Sequence, residues 1–141
     1  NNNYNIYNIK IMKQEEITKI VNKVYPLPLI IQDILPNDGM YPEIEFHKNI
    51  YERLSGEEGM TGEVCAHAEY DWNKRVIYIY TSRMFTEEDI IRSLIHECVH
   101  ANQSKAKFDA YYLCGETYDT HPYEIEAREA EKSWRAYKIK E

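Results

Sequence analysis

Apolar residues along this chain follow two periods, and the switches between them mark its elements. Ile17, Ile20, Val21 and Val24 recur at i, i+3, i+4 and i+7, the spacing of one buried helical face. Pro26 and Pro28 are expected to end that helix. Residues 29–35 are rich in β-branched side chains and read as a strand. PNDGMYP (36–42) is a turn cluster, Glu43 to His47 alternates as a short strand, and 55–62 is a loop rich in Gly and Glu. Glu63 to Tyr70 and Arg75 to Tyr80 flank Asp71-Trp72-Asn73-Lys74 and predict a β-hairpin with a four-residue loop. In its second arm Val76, Tyr78 and Tyr80 take one face, and Ile77 and Ile79 the other. Thr86 can cap a helix running to about Ser104, with Asp89 completing a capping-box pattern and Glu87, Glu88 and Asp89 favouring the positive dipole end. Phe108 to Leu113 is open between helix and packed loop. A last helix is expected from near Thr120 to about Lys138, with Pro122 tolerated in its first turn.

These elements predict an α+β fold. There is no internal repeat, and residues 9–141 read as a single domain. The aperiodic, Asn-rich stretch 1–8 is expected to be a frayed end or an expression remnant.

Charge narrows the partners. With 17 basic and 24 acidic residues the net charge is −7, which argues against a nucleic-acid or anionic-membrane partner. No apolar run reaches the roughly 18 residues of a membrane span. Cys65, Cys98 and Cys114 are odd in number and lack CxxC spacing, so they suggest neither a disulfide framework nor a cysteine zinc site. No basic segment followed by an apolar stretch opens the chain. A reducing, cytoplasmic location and a monomer are the expectations.

The chemistry concentrates at His96-Glu97-Cys98-Val99-His100, an HExxH inside the capped helix. Two His four residues apart on a helix project the same way and can bind one Zn²⁺. The Glu between them then stands beside the open metal position, where it can take a proton from a metal-bound water. A chain of this composition shows HExxH by chance about 2% of the time, so the helical context is what gives the motif weight. Gln103 and Ala106 exclude the extended HExxHxxGxxH form.

A catalytic zinc needs a third protein ligand. Candidates downstream are Asp109, Glu116, Asp119, His121, Glu124, Glu126 and Glu129. In the last helix Tyr123, Ala127, Ala130, Trp134 and Tyr137 form one stripe. Glu126 lies roughly 60° from its centre, Glu124 roughly 100° away on the other flank, and Glu129 roughly 120° away. Glu126 is the expected ligand on that phase. Glu124–Arg128 and Glu131–Arg135 read as solvated i, i+4 pairs.

The segment TEEDIIRSLIHECVHA, the hairpin before it and YEIEA after it resemble the gluzincin metallopeptidases. The similarity is to small single-domain members, the ImmA/IrrE type and the minigluzincins, and covers about residues 60–135. It implies one Zn²⁺ and a zincin-like fold, in which a short, twisted, mostly antiparallel sheet packs on the HExxH helix and on a C-terminal Glu-bearing helix. The second Glu of a Glu-x-Glu-Ala segment, here Glu126, would be the ligand beside His96 and His100. After Ala127 the chain reads Arg128-Glu129-Ala130 where the family more usually has Asn-x-Phe-Ala. The resemblance further implies an edge strand, expected at Arg75 to Thr81, that holds an extended peptide or protein substrate while Glu97 acts as general base. Tyr118, Tyr123 and His121 are the nearest candidates to steady an oxyanion. The expected function is a zinc-dependent peptidase; a zinc-binding regulatory protein with little proteolysis is the alternative. His47 and His67 read as surface strand residues, and Cys98 points away from both His. Cys65 reads as a buried thiol or as a fourth ligand in a latent form, and Trp72 as an exposed contact or a cap on the core.

Overall fold

At the hairpin tip, Asp71 Oδ1 accepts hydrogen bonds from the backbone N–H of Asn73 and Lys74, both 2.9 Å, and Arg75 closes the loop at φ 56°. That left-handed residue lets a four-residue connection reverse the chain and fixes where Trp72 stands. The computed structural model describes residues 12–35, 41–54 and 66–139. The expectations for 1–8, for 36–40, for 55–62 and for Cys65 lie outside the described residues.

The hairpin strands are β2, Ala68–Asp71, and β3, Val76–Tyr80; Glu43–His47 is β1. The sheet order is β1-β3-β2, with β3 antiparallel to β2 and parallel to β1. The sheet is therefore mixed rather than mostly antiparallel, because β1 reaches β3 through an intervening segment and not through a hairpin. All five residues of β3 are buried. Ile77 and Ile79 join the main core, while Val76, Tyr78 and Tyr80 pack a smaller cluster with Ile50 and Ala66 on the opposite face.

Six α-helices stand among the described residues. They are α1 (Gln14–Lys19), α2 (Leu27–Ile34), α3 (Ile50–Arg53), α4 (Glu87–Ala101), α5 (Lys105–Leu113) and α6 (Pro122–Glu131). A π-helical turn, Ile20–Val24, prolongs α1 up to the proline pair. The 29–35 segment is thus helix, not strand. Pro28 sits in the first turn, where its missing N–H costs nothing, and Ile30 and Ile31 are buried with Leu27 and Ile34 beside them at helical spacing. A short β-branched run suits either state, and here packing against α4 decides.

Helix α4 is the central beam. Thr86 Oγ1 accepts from the Asp89 N–H at 3.1 Å, and Asp89 Oδ2 accepts from the Thr86 N–H at 3.1 Å, a reciprocal cap. Ile90, Ile91, Leu94, Ile95 and Cys98 face the core, and Cys98 is a buried free thiol. The helix stops at Ala101, three residues short of expectation. Ser104 starts α5 by accepting from the Lys107 N–H at 3.2 Å, which assigns Phe108 to Leu113 to a helix. The last helix also stops early, at Glu131, and Trp134–Tyr137 is a 3-10 turn. No helix among the described residues is long and apolar enough to cross a membrane.

Candidate metal centre

One face of α4 turns away from the core and carries Ser93, His96, Glu97 and His100, all buried. Helix α6 lies across this face. Its start is set by His121, whose ring Nδ1 accepts from the Tyr123 N–H at 3.1 Å and whose Nε2 donates to the Phe108 carbonyl at 2.9 Å. From that start Glu124, Ala127 and Glu131 fall at i, i+3 and i+7 on one side. Glu124 and Ala127 are buried there.

The two imidazoles converge on one oxygen. His96 Nε2 is 2.9 Å and His100 Nε2 is 2.8 Å from Glu124 Oε1, and the two rings meet edge to face at 4.7 Å. The ligand-type atoms of His96, His100 and Glu124 lie within 4.8 Å of one another, so this buried group can hold a metal ion. Their partners hold the rings in the binding orientation. Glu131 Oε2 is 2.6 Å from His96 Nδ1, and Gln103 Oε1 is 2.7 Å from His100 Nδ1. The Gln103 amide nitrogen donates to the Tyr123 carbonyl and to Glu126, which turns its oxygen toward His100. Each Nδ1 is thereby a proton donor and each Nε2 is the atom aimed at Glu124, the arrangement that metal-binding His residues need. The second oxygen of Glu124 accepts from the Tyr112 hydroxyl at 3.3 Å.

Glu126, the carboxylate expected from sequence, is exposed and 2.6 Å from Gln103, away from the two His. The structure brings Glu124 to them instead. The expectation assumed one helix to Lys138, whose stripe included Trp134 and Tyr137. With the helix ended at Glu131, the buried face is centred on Glu124, Ala127 and Glu131, and Glu126 lies roughly 160° from Glu124 and roughly 140° from Glu131. Glu131, expected as a solvated partner of Arg135, instead bonds His96, and Gln103 and Tyr112 join the site with no signal in the sequence. The i, i+7 spacing of Glu124 and Glu131 is the signal that would have found both acids.

The electrostatics follow from burial and pairing. Burial pushes the His96 ring down, but its bonds to Glu124 and Glu131 outweigh this and raise it to about 10. His100 is raised in the same way, burial opposing and Glu124 prevailing. Burial also works against ionised Glu124, yet the two imidazoles hold its carboxyl far below the usual range. Glu97 behaves differently. It is buried, and among the described residues its carboxylate has no hydrogen-bond or ion-pair partner; burial pushes it up to about 7, against the pull of His100 and His96.

All four residues open on a cavity of about 660 Å³. One wall is β2 with Ala66, His67 and Trp72; the others are α4, α6, Phe108 and Tyr118. The strand at its edge is β2, not the Arg75 to Thr81 segment, because β3 is paired on both sides. Tyr80 N–H donates to the His67 carbonyl at 3.0 Å, so residues 67, 69 and 71 bond toward β3. By the alternation of antiparallel pairs, Ala68 and Tyr70 turn their backbone N–H and C=O to the other edge, which is unpaired among the described residues. Of the three candidates for an oxyanion, Tyr118 borders the cavity and is half-exposed, His121 is spent on the α5–α6 junction, and Tyr123 does not line the cavity. His67 is exposed on the rim, and His47 bonds Glu45 on β1. Trp72 is a cap: its ring packs on Tyr70, His100 and Phe108, and its N–H donates to the Gln103 carbonyl at 3.4 Å.

Comparison of the chain with protein-family models, with curated proteins and with solved structures finds no match.

Proposed function

We propose that this chain is a zinc-dependent peptidase of gluzincin type with a zincin-like architecture, in which His96, His100 and Glu124 are the ligands and Glu97 is the general base. The observation that carries this reading is the state of Glu97. Among the described residues this carboxylate has no protein partner, and it opens on the same cavity as two imidazoles and a carboxylate that share a point. Two nitrogens and one oxygen, each ring steadied through its Nδ1, form a donor set suited to zinc.

Zinc bound there would act as a Lewis acid on a peptide carbonyl and lower the pKa of a water. The chain's own residues supply the remaining work. The edge of β2 left unpaired among the described residues can pair an extended peptide through the backbone of Ala68 and Tyr70. Glu97 removes a proton from the attacking water and delivers it to the departing nitrogen. Tyr118 is the hydroxyl available from the rim to the developing oxyanion.

Elemental analysis of the purified protein is the first test, with the expectation of about one zinc per chain, lost in His96→Ala. Glu97→Gln is then expected to keep its zinc while cleavage of an unfolded protein substrate falls about 10²–10⁴-fold. Absence of metal under conditions that supply it would remove the reading. Zinc bound by a wild-type chain that cleaves nothing would turn it into the regulatory alternative.

A further inference from the structure

The two ends of the cleft differ in chemistry, and one end is built from rings. Phe108 and Trp72 stack at 4.9 Å, and both lie against His100, at 5.3 Å and 5.9 Å. Tyr112 continues the row behind Phe108 at 5.3 Å. Trp72 and Phe108 both line the cavity and are only half-buried, so each leaves ring surface on it. Phe108 is not filling the core: α5 has no buried residue, and this ring is directed at a metal-ligand candidate instead. The Trp72 N–H is already spent on Gln103, so what the pair offers to the cleft is apolar.

The other end is polar. Asp89, Arg92 and Ser93 precede His96 on α4 and line the cavity there with Glu131. Asp89 is tied to the helix cap, and Arg92 to Glu88 and Glu131 at 2.7 and 3.7 Å. A bulky apolar group seated at that end would strip water from these charges without replacing it. At the ring end it buries its own surface against carbon.

We infer that Trp72 and Phe108 form a side-chain subsite for an aromatic or bulky aliphatic residue next to the scissile bond, and that they set the substrate class of this cleft. The inference rests on the metallopeptidase reading. The residues give the subsite its selectivity through the apolar ring surface that both leave on the cavity.

Metal-anchored probes test it apart from turnover. Calorimetry on the zinc-loaded protein would compare acetohydroxamate with a hydroxamate carrying a benzyl arm and one carrying an aminobutyl arm. The benzyl probe is expected to bind about 10–100-fold more tightly than acetohydroxamate, the gain from burying one aromatic ring. The aminobutyl probe should gain less. Phe108→Ala should narrow the benzyl-to-methyl ratio to about threefold or below, and Phe108→Tyr, which keeps the ring, should retain it; Trp72→Ala should act like Phe108→Ala. Equal binding of the benzyl and methyl probes, or a ratio that survives Phe108→Ala and Trp72→Ala, would overturn the subsite while leaving the metal reading intact. Failure of all three hydroxamates to bind zinc-loaded protein would overturn the metal reading and the subsite with it.

Discussion

A single oxygen, Glu124 Oε1, sits where two imidazoles point, and its partner oxygen is steadied by Tyr112. Removing it should therefore hurt far more than removing its neighbour two residues on. Glu124→Ala is expected to weaken zinc binding by more than about 100-fold, beyond the usual cost of an outer partner. Glu126→Ala, which removes an exposed acid, should stay within about threefold. Titration against a chromogenic chelator separates the two, and parity would refute the ligand assignment. The protons make a second prediction. His96 holds its proton up to about 10 because Glu124 and Glu131 outweigh the effect of burial, and a metal needs Nε2 bare. Each ion bound below that pH displaces a proton, so affinity should climb at least about tenfold per pH unit from 6 to 8. A flat profile would mean that His96 is already neutral before the ion arrives. The sequence made His96, Glu97 and His100 legible because HExxH is local to one helix. The third candidate ligand was not, because its identity depends on where α6 ends and which face then meets α4.

Elements explain how α4 presents this site. Helix α4 carries its core residues on one face and its chemistry on the other, and the reciprocal Thr86–Asp89 cap fixes its first turn. Thr86→Ala should lower the free energy of unfolding in urea by about 1 kcal/mol. No change would mean that the cap is redundant with the packing behind it. Thr86, Asp89 and the alternation of the hairpin could be read from sequence since each is a contact between near neighbours. Leu27 to Ile34 could not: its β-branched residues suit a strand, and only docking on α4 shows why Pro28 is a first-turn residue rather than a break. The parallel pairing of β1 with β3 was equally hidden, since a parallel partner leaves no hairpin signal.

For the whole molecule the donor set is a clasp. His96 and His100 belong to α4 and Glu124 to α6, so an ion between them joins the beam to the C-terminal helix. Zinc at about a hundred times its Kd should then stabilise the fold by about 2.7 kcal/mol. For a domain of this size that is a rise in Tm of about 8 °C. A scanning experiment with and without chelator checks it, and His96→Ala should show no rise. The α+β class was readable because both periods are plain along the chain. The placement of α5 over the site was not, because that helix buries nothing.

Helix α5 is held by the rings of Phe108, Tyr111 and Tyr112 and by the His121 bond to the Phe108 carbonyl, with no residue sunk in the core. Such a segment opens at a small fraction of the cost of unfolding the domain. Each opening uncovers His100 and frees the second oxygen of Glu124 together. For an ion held by His96, His100 and Glu124, the rate of entry and escape would then follow the opening of one lightly anchored helix, and occupancy and exchange would be separate properties, one written in α4 and α6 and the other in α5.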